Sequence, residues 1–149
     1  MLDKQRIATL VSDINKYVGQ LAQLNIKTKA DLADFKNYHA ASMICFTIIN
    51  KSIDLGNEIV ISQNFGFTQT YSDIFIKLHE HKIIDSNLKS KLIRLILNRN
   101  KIAHEYADLD EGEIFEIISE TKSVEKMITA LQEYASLIEK ENKNKEEKS

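Results

Sequence analysis

The chain has no proline, no tryptophan, one cysteine and only four glycines in 149 residues. With so few breakers and so much Leu, Ile, Lys, Glu and Ala, long helices are favoured over many short strands. A single cysteine excludes an internal disulfide, and Cys45, inside the apolar run MICF, reads as a buried thiol. No stretch approaches the roughly 18 consecutive apolar residues of a membrane span. The opening MLDKQRIATL lacks the basic start, apolar block and cleavage site of a signal peptide. A cytoplasmic protein is therefore expected. A net charge of −2 does not advertise nucleic-acid binding by bulk charge.

Catalytic signatures are also scarce. There is no glycine-rich phosphate loop, no G-x-S-x-G and no zinc pattern, so the expected chemistry uses no cofactor and no metal. Histidine occurs four times. His79 and His81 are two residues apart, about 200° around a helix, and read as solvated or capping groups. His39, among apolar neighbours, reads as a satisfied core histidine. Asp108 and Asp110 read as helix caps.

The length suits one domain, with residues 1–140 forming a single helical unit. The tail ENKNKEEKS, residues 141–149, holds no apolar side chain and is expected to be frayed or disordered. Ile7, Leu10, Ile14, Tyr17, Leu21 and Leu24 recur three and four apart, which predicts a first helix from about Asp3 to Leu24. A second is expected over Lys29 to Ile61. Its centre, Met43 to Ile49, is apolar all round except for Thr47, as in a helix buried on most sides. Gly56 within it suggests close packing or a bend.

Ser62 to Tyr71 reads as a loop, followed by a short helix over about Ser72 to Lys82. Asp85-Ser86 caps a helix reaching His104, and Asp110 with Glu113 opens a last one. The expected architecture is all-α: an antiparallel up-and-down bundle of four main helices plus a short extra helix.

Charge is unevenly spread along this frame. Lys77 to Lys101 carries seven bases against two acids, and from Glu105 onward there are 13 acids against six bases. The basic stretch runs into RNKIAHEY, Arg99 to Tyr106. Leu88, Leu92, Leu95, Arg99, Ile102 and Tyr106 form one seam, with Arg99 and Tyr106 about 20° apart around the axis. A guanidinium on a packing seam is costly unless the seam opens onto a cleft or another subunit. His104 stands about 140° from Arg99 and shares a face with Asn100. Two arrangements could unite arginine and histidine. The helix loosens before His104, or two chains bring one motif each to a shared cleft across a two-fold axis.

The stretch resembles the signature of the HEPN superfamily, most closely the HepT-like toxins, with the motif R-N-x-x-[AV]-H-x-Y. Arg99, Asn100, Ala103, His104 and Tyr106 meet every specified position. Ser52 to Asn57 looks like the family's central-helix segment, and Tyr71 to Phe75 like its usual run-up to the motif. The likeness extends to about Glu139. It departs where many relatives carry a proline before the tyrosine, here Thr68-Gln69, and a glutamate where Asn50 stands. Both lie outside the motif and bear on partner details rather than on activity.

The resemblance implies a homodimer with two motifs lining one cleft, acting as a metal-independent endoribonuclease toxin of a type VII-like toxin–antitoxin system. Its partner would be a minimal nucleotidyltransferase antitoxin that transfers AMP to Tyr106. RNA supplies its own 2′-hydroxyl nucleophile, so cleavage needs proton transfer and positive charge on the phosphate. Imidazole, with an ordinary pKa of about 6.5, suits the first, which points to His104 as base or acid. The planar guanidinium suits the second, which points to Arg99 as phosphate clamp, with Asn100 supporting the geometry. The alternative is a helical module that binds a nucleotidyltransferase, or presents a substrate to it, without catalysis of its own.

Overall fold

The computed structural model describes residues 1–149, the Ala107 side chain apart. Six α-helices succeed one another: α1 Lys4–Gln23, α2 Phe35–Ser62, α3 Tyr71–Glu80, α4 Ser86–Glu105, α5 Glu111–Glu120 and α6 Ser123–Lys148. Four are long, α3 and α5 are short, and among the described residues no strand forms. The all-α bundle expected from the sequence is what the structure holds.

Helices α1 to α5 start where side chains satisfy their first free N–H groups, whereas α6 follows α5 without a side-chain cap. Asp3, Asp85 and Asp110 accept from the N–H of Arg6, Leu88 and Glu113 at 3.0, 2.7 and 2.8 Å. Thr70 and Asp73 form a reciprocal capping box at the start of α3. The expected second helix begins later, because Asp34 is extended and caps α2 itself through the N–H of Lys36. Lys29–Ala33 ahead of it is a separate 3₁₀ turn.

Two ion pairs fix the direction of the first helix pair. Arg6 meets Glu58 and Asp13 meets Lys51, so numbers rise on α1 as they fall on α2, and the two are antiparallel. The continuous core includes Ile14, Ile48, Leu55, Phe75, Leu92, Ile114 and Met127, all fully buried. Gly56 serves close packing: a Cβ there would lie 2.9 Å from Ile74 Cγ2 and 3.3 Å from Phe75 Cε1. Cys45 is buried, and desolvation pushes its thiol up to about 12, which leaves it chemically quiet.

Two differences from the sequence expectation concern the C-terminal third. The last helix is broken at Thr121-Lys122. There Thr121 Oγ1 donates to the Ile118 carbonyl at 2.6 Å and Ser123 Oγ to the Glu120 carbonyl at 2.7 Å. Such local bonds compete with the helix ladder. The seven-residue step from Ile117 to Val124 keeps both pieces facing the core. Second, α6 continues to Lys148 where a frayed or disordered tail was expected, with residues 141–149 exposed. Good helix formers, together with an i, i+4 pair of Glu139 with Lys143, suit that continuation.

Candidate functional site

The site grows from one face of α2 that the core leaves open. His39, Met43, Phe46 and Asn50 recur at four, three and four, a single helical stripe. Met43 is 54% exposed, and Phe46 and Asn50 are half-buried. The sequence expectation of a segment buried on most sides is therefore corrected on this side. His39 is likewise exposed rather than a core residue. Hydrophobicity alone could not distinguish this face from the buried one; the eleven-residue separation of its two polar residues, three helical turns, could have.

Arg99 lies half-buried against that stripe. Its Nε donates to Asn50 Oδ1 at 2.8 Å and its Nη1 to Asn100 Oδ1 at 3.1 Å. The guanidinium stacks over Phe46 at 5.1 Å and over Tyr71 at 5.4 Å. Each of these four partners is neutral. Asn50 thus touches the motif arginine directly, and its departure from the family pattern bears on the motif itself, not merely on partner details. A carboxylate there would neutralise the guanidinium; the amide orients it and leaves its charge available.

Asn100 is exposed beside Arg99, so those two motif residues are brought together. His104 is exposed on the last turn of α4, which stays α-helical through Glu105. The helix therefore does not loosen before His104, and about 140° separates it from Arg99 within one chain. Of the two arrangements the sequence left open, the first is removed.

Tyr106 sits just beyond α4, at the head of a 3₁₀ turn, Tyr106–Asp108. Its placement comes from this turn, not from the α4 seam. The Tyr38 hydroxyl fastens the turn by donating to the carbonyls of Leu109 at 2.6 Å and Tyr106 at 3.0 Å. The Tyr106 hydroxyl is hydrogen-bonded to His39 Nδ1, with ring centroids 5.4 Å apart. Burial raises the Tyr106 phenol above its ordinary value. Sequence reasoning missed Tyr38, His39, Phe46, Asn50 and Tyr71 as neighbours of the motif.

The remaining histidines play local parts. His79 Nδ1 bonds the Ile84 carbonyl at 3.0 Å, and His81 stacks on Phe65 at 3.7 Å. Among the described residues no three of His, Cys, Asp or Glu gather as a metal set, and no helix is long and apolar enough to cross a membrane.

This geometry coincides with a family assignment. The profile described as "Ribonuclease HepT-like" matches residues 12–140. The chain belongs to the HepT-like ribonuclease family. A tRNA nuclease HepT from Aphanizomenon flos-aquae is 26% identical over 114 residues, covering 76% of this chain and 78% of that protein. The tri-AMPylated Shewanella oneidensis HEPN toxin, solved with its MNT antitoxin, superposes with a TM-score of 0.79. It is 20% identical, and the match covers 89% of this chain and 98% of that one. Cytosolic protein YutE from Bacillus subtilis, of unknown function, gives 0.77 at 20% identity, over 89% and 90%. At these identities the structural likenesses speak for the HepT-like fold.

Proposed function

We propose that this HepT-like chain is the toxin of a toxin–antitoxin pair, a metal-independent endoribonuclease that works as a homodimer in the cytoplasm. One observation carries the reading: Arg99 is oriented entirely by neutral partners at an open face, a charged fork with no counter-ion of its own. Arg99 clamps the scissile phosphate and stabilises the charge that builds there. His104 takes the proton of the attacking 2′-hydroxyl or gives one to the departing 5′-oxygen. Asn100 holds the Arg99 fork. The products carry 2′,3′-cyclic phosphate and 5′-hydroxyl ends.

The dimer is needed because a regular α4 keeps Arg99 and His104 of one chain apart. Met43, Tyr71 and Leu97, 49 to 56% exposed, supply apolar surface for the second copy. Tyr71, Leu97 and Asn100 share the wall of an open groove of about 700 Å³. A partner minimal nucleotidyltransferase silences the enzyme by transferring AMP to Tyr106, a reading supported by the AMPylated state of the Shewanella toxin. The added phosphate brings negative charge to the face that carries Arg99.

The test is cleavage of end-labelled RNA, in the presence of chelator, by the parent chain and by Arg99→Ala and His104→Ala. Both variants should lose at least a hundredfold in rate. Mixing the two inactive chains should restore part of the activity, since a mixed dimer has one intact arginine and one intact histidine. A parent chain that leaves RNA uncut would favour the non-catalytic docking module instead.

A further inference from the structure

Resting on the reading of Tyr106 as the AMP acceptor, we propose that His39 is the base that receives the Tyr106 proton during the transfer. Neither the motif nor its spacing points to His39. It lies 67 positions away in sequence, on α2, and only the fold brings it to the phenol.

Three observations converge on it. The Tyr106 hydroxyl meets His39 Nδ1 directly, so proton transfer needs no intervening water and no rearrangement. The acceptor is held in place, because the Tyr38 hydroxyl ties down the carbonyls of Tyr106 and Leu109 on either side of the turn. Tyr38 cannot serve as the base itself, since its one proton is already directed at those carbonyls. Finally, burial disfavours the Tyr106 phenolate, so the phenol does not ionise readily unaided.

The step balances without a further reactant beyond ATP. The Tyr106 oxygen attacks the α-phosphorus of ATP and a new O–P bond forms. The bond from that phosphorus to the oxygen bridging to the β-phosphorus breaks, and pyrophosphate leaves with the electron pair. The phenolic proton passes to His39 Nδ1 and then to solvent. His39 must enter the step as the tautomer that carries its hydrogen on Nε2.

Charged groups of both signs surround the pair. Asp110, Glu111 and Glu113, at the start of α5, act on the neighbouring Tyr38. Glu105 and Asp108 flank Tyr106 along its own segment, and Lys36 stands one turn from His39 on α2 as the opposing charge. Phe35 and Tyr38 hold the imidazole edge-on at centroid distances of 6.4 and 5.4 Å.

The experiment measures AMP incorporation from labelled ATP by the cognate minimal nucleotidyltransferase, using full-length parent, His39→Asn, Tyr38→Phe and Tyr106→Phe. Asparagine can keep a hydrogen bond near the Nδ1 position but cannot take up the proton. His39→Asn should therefore be modified at least tenfold more slowly. Its pH–rate profile should also lose an inflection that the parent's shows. A His39→Asn rate within a factor of two of the parent, with the parent's pH profile, overturns the proposal. If Tyr106→Phe still accepts AMP at the parent's rate, the acceptor assignment itself fails, which is a separate result.

A second measurement needs no partner. N-acetylimidazole should acetylate Tyr106 faster than Tyr17 in the parent, both being half-buried, and His39→Asn should lose that advantage. An unchanged ratio of the two in His39→Asn again overturns the role of His39.

Discussion

Asn50 Oδ1 accepts a hydrogen bond from Arg99 Nε at 2.8 Å, joining the centre of α2 to the motif helix α4. The bond fixes the guanidinium's rotation while leaving both Nη groups on the far edge of the fork, one of them steadied by Asn100.

Replacing Asn50 by aspartate should pair the guanidinium with a carboxylate at the same distance and reduce its hold on phosphate. RNA cleavage should fall about tenfold, the scale of a weakened charge-assisted contact. Asn50→Ala should also lower the rate, by removing orientation without adding charge. The two are separated by salt, because neutralising one phosphate-binding cation reduces the salt slope of RNA binding. Filter binding over a range of salt concentrations reads this directly.

Arg99→Lys keeps the charge and loses the planar fork, the Asn50 bond and the stacking over Phe46 and Tyr71. Cleavage should drop by about a hundredfold, with urea midpoints close to the parent's, since the side chain lies at an open face. Initial rates on labelled RNA and a urea titration check both halves.

Much of the fold was legible in the sequence because amphipathic spacing and acidic caps are local signals. Asp85 and Asp110 cap where the composition suggested, and the short α3 follows the loop as expected. The break at Thr121-Lys122 was hidden because the apolar register passes through it unchanged. The site was half legible. Arg99, Asn100, His104 and Tyr106 are contiguous enough to read, whereas Asn50, Phe46 and His39 reach them only through the antiparallel packing of α2 on α4. His39 looked like core because its neighbours in sequence are apolar, yet it lies on the one stripe of α2 that the core does not cover.

Tyr38→Phe removes a hydroxyl that bonds two main-chain carbonyls. The loss should cost about 1–2 kcal/mol in a urea titration. AMP incorporation should slow as well, because the turn that presents Tyr106 is no longer fastened.

Gly56→Ala tests the α2–α3 contact. The new methyl group would meet Ile74 Cγ2 at 2.9 Å, a packing cost of about 1–3 kcal/mol. Alanine's helix propensity returns about 1 kcal/mol, so the net change is destabilising or near zero, never strongly stabilising. Thermal unfolding by circular dichroism measures it.

Asp73 gives an acid-limb prediction. The N–H groups of Gln69 and Thr70 bond its carboxylate and hold it below the ordinary aspartate range. A lowered folded value means that the contribution is complete above about pH 4 and is lost as pH falls through the folded value. Asp73→Asn should therefore show a flatter fall in thermal midpoint between about pH 4 and pH 2 than the parent. Parallel acid titrations of the two proteins decide it.

Among the described residues, the side chains that grip Arg99 are all neutral, so none of them offsets its charge. An amide to each side and two aromatic faces leave the guanidinium charge uncompensated, so under the proposed function restraint has to arrive from another macromolecule as a covalent anion. On that reading, a cell making this chain without its companion would have no counter-charge beside Arg99 to restrain it.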